Sequence, residues 1–76
     1  MTFKNWIKTI LGHLPRPIDL ANALGYQRGE IVSKWYKGIA YPDKNNCKLL
    51  SEYLKISYAD VQVAVLKMRM EELNEV

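Results

Sequence analysis

Cysteine and histidine are almost missing from this chain, with one of each in 76 residues. Cys47 alone cannot close an internal disulfide, and no Cys or His stands near enough in sequence to complete a zinc site with it. A reducing compartment fits such usage. Long apolar runs are missing too: nothing approaches the roughly 20 residues that a membrane span requires. The opening segment, MTFKNWIKTILGHL, has an apolar patch, but Lys4 and Lys8 interrupt it and no small-residue cleavage site follows. No signal peptide is therefore expected, and a cytoplasmic protein is. Catalytic constellations are absent as well. There is no Ser-His-Asp set, no glycine-rich phosphate loop and no carboxylate pair framed by apolar residues. His13 sits beside Gly12 and Pro15 with no base or orienting partner in view, which suits a solvated or capping role. No enzyme, no metal and no cofactor are expected.

What is present points to a small folded domain. Hydrophobic residues make up 49% of the chain and charged ones 25%, a globular balance. Seventy-six residues support one modest core and leave little room for an enclosed active site. Charge is unevenly spread. Residues 1–58 carry nine Lys/Arg against four Asp/Glu, whereas residues 59–76 carry two against four. A basic body with an acidic tail suits a polyanion on one face, although ordinary surface charge explains it equally well.

The apolar spacing predicts five short helices and no strand, an all-α domain over residues 1–76. Phe3, Trp6, Ile7, Ile10 and Leu11 share one face of a first helix, stopped by Gly12, Pro15 and Pro17. A second runs from Pro17 or Ile18 to Leu24. Proline suits its first turn, Asp19 complements its dipole and Gly25 ends it. A third begins between Arg28 and Glu30 and ends at Lys37, with Ile31, Val32 and Trp35 inward and Gly38 as cap. Asp43 caps a fourth helix, Lys44 to Leu54, with Cys47, Leu50 and Leu54 inward. Ser57, with Asp60 three residues on, caps a fifth of about residues 58–73.

The segment LANALGYQRGEIVSKWYKGIAYP carries the functional information. It offers a helix with a small residue for close packing, a glycine turn, and a second helix with polar residues outward. Leu20-Ala21, Gly25, Val32-Ser33-Lys34-Trp35, Gly38 and Pro42 resemble the phage repressor and Cro-type helix-turn-helix family, also called XRE-type. The following PDKNNCKLLSEYLKIS is similar to that family's next helix, with Leu49-Leu50 and Tyr53-Leu54 under the reading head. The resemblance covers about Ile18 to Ser57. It implies a lambda-repressor-like fold, a helix-turn-helix at about residues 18–37, and sequence-specific binding of double-stranded DNA by a small transcriptional regulator. Three departures stand out. The gap from Gly25 to Val32-Ser33 is one residue longer than the family's pattern. The usual Gln at the start of the scaffold helix is missing, leaving Arg16 as its substitute. The usual Glu late in the recognition helix is Tyr36.

Within that reading, Gln27, Arg28, Glu30, Ser33 and Lys34 are the base-reading residues. Arg28 suits guanine, Gln27 suits adenine, and Glu30 suits cytosine or a supporting contact to Arg28. Gly29 either lets backbone approach DNA or makes the turn. Arg16, Lys37, Tyr41, Lys44, Asn45, Asn46 and Lys48 are the phosphate-binding residues, near a helix N-terminus that itself favours anions. Lys44 and Lys48 form a like-charged i,i+4 pair, unfavourable without a polyanion. Trp35 is expected in the core, and Cys47 as a small buried hydrophobe. Tyr36 and Tyr41 divide evenly between packing and phosphate bonding.

The fifth helix is apolar on more than one side. Val61, Val65, Met68 and Leu73 form one stripe, while Val63, Leu66 and Met70 lie off it. The stripe is the candidate for homodimerisation, the expected state on DNA; packing against the first helix competes with it. The alternative function is a protein-interaction module of the same fold, an antitoxin or a partner of polymerase or recombinase, acting through this helix.

Overall fold

The computed structural model describes residues 1–74, with side chains through Glu71. Every regular element among them is helical: α1 (Phe3–Leu11), α2 (Pro17–Ala23), α3 (Glu30–Lys37), α4 (Lys44–Leu54) and α5 (Tyr58–Asn74). The radius of gyration, 11.6 Å, is close to the roughly 11 Å of a single packed domain of this length.

The caps explain where the helices begin and end. Thr2, an N-cap residue directly before the first apolar position Phe3, accepts the Asn5 N–H through its side chain and starts α1. Asp43 accepts the Asn46 N–H at 2.9 Å and starts α4, and Ser57 accepts the Asp60 N–H at 3.1 Å at the head of α5. Three helix ends share one device. After α2, Gly25 N–H bonds the Asn22 carbonyl and Tyr26 N–H bonds that of Ala21, at 3.0 and 2.9 Å. This paired closure needs a left-handed residue, and Gly25 supplies it at φ 96°. Gly38 plays the same part after α3, and Lys55 after α4 at φ 59°.

One core unites the elements. Ile7, Leu20, Val32, Trp35, Leu50 and Val61 are almost entirely withdrawn from solvent. Phe3 of α1 meets Trp35 of α3 edge-on, with ring centroids 5.4 Å apart, a favourable aromatic geometry. Cys47 is buried, as its sequence position suggests, and burial pushes its thiol up from the ordinary range, with Asp43 adding to the effect.

The stripe Val61, Val65 and Met68 requires a correction. All three side chains are buried within this chain, where α5 packs on α4 and α1, so they cannot serve as a dimer surface in this fold. The Leu73 side chain lies outside the described residues. Among the described side chains, the large non-aromatic apolar residues that α5 leaves to solvent are Val63, Leu66 and Met70.

Candidate nucleic-acid interface

The outward face of α3 follows from its inward one. Val32 and Trp35 are buried, and Ile31 and Tyr36 are half-buried against the core. With 3.6 residues per turn, that anchoring turns Glu30, Ser33, Lys34 and Lys37 to the opposite side. Glu30, Lys34 and Lys37 are exposed and Ser33 is half-exposed. Gln27 and Arg28 precede the helix and belong to the turn. They meet Glu30 and Lys34 along a shallow depression completed by Tyr26 and Ile31. Four of the five base-reading candidates therefore share one surface, and Ser33 stands beside it. Arg28 and Glu30 approach to 3.9 Å, both largely in solvent. Such an exposed pair costs little to separate.

Two contacts hold this surface in place, and neither is apparent from sequence. The first is at Gly29, the residue before α3. A β-carbon there would lie 2.7 Å from the Ile18 nitrogen and 2.9 Å from the Ile18 α-carbon. Glycine at this position does not serve a left-handed turn, since its φ is −87°. It lets the start of α3 press onto the backbone of α2. The second contact is at Asn46. Its side-chain amide donates to Asp43 at 3.0 Å, and its oxygen accepts from the Tyr26 hydroxyl. The turn between α2 and α3 is thereby tied to the first turn of α4.

That tie corrects the reading of Asn46 as a phosphate ligand. The residue is buried, and its polar atoms are engaged within the protein. Arg16 also has a prior partner: its Nε donates to Asp19 at 2.9 Å and its Nη2 at 3.4 Å. The hydrogen bond and charge of Arg16 hold the Asp19 carboxyl below its ordinary range, and Asp19 raises Arg16 in turn. Tyr36 resolves toward packing. Its hydroxyl donates to the Pro15 carbonyl at 2.7 Å, and burial, with Tyr53 nearby, pushes its pKa up to about 12. Tyr41 is half-buried against the core. Lys37, Lys44, Asn45 and Lys48 are exposed, as phosphate contacts require. The Asp43 carboxylate sits at the α4 N-terminus and occupies one of its free N–H groups, which makes this end less attractive to an anion than a bare helix start.

Among the described residues no group of His, Cys, Asp and Glu is arranged to hold a metal ion, and no helix is long and apolar enough to cross a membrane. Comparison with known protein families, curated proteins and solved structures finds no match for this chain.

Proposed function

We propose that this chain is a small cytoplasmic regulator that binds double-stranded DNA in a sequence-specific manner, with α2 and α3 as a helix-turn-helix of the repressor and Cro type. The observation that supports this most directly is the division of α3. Val32 and Trp35 anchor one side in the core, and the other side presents Glu30, Ser33, Lys34 and Lys37, with Gln27 and Arg28 at its N-terminal end. A recognition helix enters the major groove with that end toward the bases. Arg28, Gln27 and Lys34 then reach base edges, Glu30 orients Arg28 or accepts from cytosine, and Lys37, Lys44 and Lys48 meet the backbone.

Selection of bound duplexes from a random pool tests this reading, and a defined recovered motif is the expected result. Arg28→Ala combined with Lys34→Ala should lower affinity for that motif at least about tenfold. Both side chains are exposed, so the helical signal should remain unchanged. Recovery of no motif would overturn the proposal.

A second reading, a protein-interaction module acting through α5, draws on the exposed Val63, Leu66 and Met70. The same double variant separates the two, because a partner held by α5 would be bound as before.

A further inference from the structure

The outer face of α5 carries an apolar strip that the core does not use. Val63, Leu66 and Met70 are 50%, 56% and 53% exposed, and Ala59 continues their line toward the start of the helix. Positions 59, 63, 66 and 70 follow the alternating steps of four and three that form the seam of a two-helix coiled coil. The opposite face of the same helix is already packed through Val61, Ala64, Val65 and Met68. Two apolar faces on one helix give it two partners, and only one belongs to this fold.

The arrangement of the strip identifies the other. When two such helices run antiparallel about a two-fold axis, Val63 falls opposite Leu66 of the second copy, and Ala59 falls opposite Met70. Each layer then sets a smaller side chain against a larger one, and the whole strip is self-complementary. Antiparallel pairing also brings like flanks together. One flank holds Asp60 and Lys67, so each Asp60 faces Lys67 of the other copy, giving two symmetric opposite-charge pairs. The other flank sets Gln62 against Arg69. In a parallel pair Lys67 would face Gln62, and these flanking positions would form no opposite-charge pair. Asp60, Gln62, Lys67 and Arg69 are all exposed. Beside the strip, on the flank of Gln62 and Arg69, a groove lined also by Pro42, Lys44, Cys47 and Leu66 opens where the start of α4 meets α5.

We infer that the outer face of α5 binds a second copy of this chain as an antiparallel helix pair, with Val63, Leu66 and Met70 in the seam and Asp60 paired to Lys67 across it. The surface is distinct from the buried stripe of Val61, Val65 and Met68. The pairing is independent of the DNA-binding reading, and its test contains no nucleic acid.

Sedimentation equilibrium of the full chain, from about 10 µM to about 1 mM, should give a mass rising to twice 8.8 kDa. Leu66→Glu should remain monomeric across that range with an unchanged helical signal. If it loses helix, Met70→Glu takes its place with the same expected outcome. Lys67→Glu sets like charges against Asp60 twice and should raise the dissociation constant about tenfold. Adding Asp60→Lys to it should restore most of the affinity. A wild-type monomer at about 1 mM overturns the pairing and leaves the strip to a different protein. A folded seam variant that still dimerises overturns it as well. An unchanged constant for Lys67→Glu, or a double variant no tighter than the single one, overturns the antiparallel register.

Discussion

Tyr36 and Asn46 are polar residues near the proposed reading surface, and each is engaged within the protein. The neutral Tyr36 hydroxyl donates to Pro15, and its pKa in the fold is about 12 against an ordinary value of 10.0. Because the folded value lies above the unfolded one, this residue's contribution to stability is complete below pH 10 and is lost as pH rises through 12. Tyr36→Phe should lower stability at neutral pH by about 1 kcal/mol and shrink the alkaline loss, which denaturant titrations of both proteins on either side of pH 10 would measure. Asn46 is the more consequential. Asn46→Ala removes the acceptor of the Tyr26 hydroxyl and an amide that braces Asp43, so a cost of about 1–3 kcal/mol is expected from chemical denaturation. The same variant should weaken DNA binding although Asn46 never touches the ligand, since Tyr26 borders the turn that carries Gln27 and Arg28. The burial of Asn46 was not legible in the sequence. It stands in the first turn of a helix among Lys44, Asn45 and Lys48, and its partner Tyr26 lies 20 residues earlier.

The helices themselves were largely legible, because their signals are local. The span of α4 follows from the Asp43 cap and the inward row of Cys47, Leu50 and Leu54, and the structure gives Lys44–Leu54. The start of α3 was the weak point, and Gly29 explains why. The residue makes no side-chain cap, and its identity is set by Ile18, a contact between two helices. Gly29→Ala should therefore cost about 1–3 kcal/mol by overpacking, although alanine is the better helix former and its φ would be ordinary. Thermal or denaturant unfolding measures the loss. A neutral or stabilising result would show that α2 and α3 separate readily at this point. The faces of α5 illustrate the same boundary. The stripe Val61, Val65 and Met68 is visible from periodicity, but periodicity does not say whether a stripe faces its own core or another molecule. Burial answers that for these three and transfers the question to Val63, Leu66 and Met70.

At the scale of the whole molecule, charge separates the proposed function from the fold. Residues 1–58 carry nine Lys/Arg against four Asp/Glu, so a polyanion would be drawn to this part of the chain rather than to α5, whose described side chains set Asp60 and Glu71 against Lys67 and Arg69. Arg28, Lys34, Lys37, Lys44 and Lys48 are exposed there. If about three to five of them neutralise phosphates, the logarithm of the binding constant should fall against the logarithm of salt with a slope between about −2.7 and −4.5. Individual side chains should then divide by role. Lys48→Ala should reduce the slope by about 0.9 and weaken all duplexes alike. Gln27→Ala should leave the slope unchanged and alter the preferred base at one position in each half of the site, because an uncharged amide displaces no counterion. Fluorescence anisotropy at several salt concentrations, on the selected duplex and on one altered at that position, measures both quantities. A flat salt response would remove the phosphate contacts and the proposed function with them. A steep response without any base preference would retain the electrostatic surface and reject sequence reading by the turn before α3.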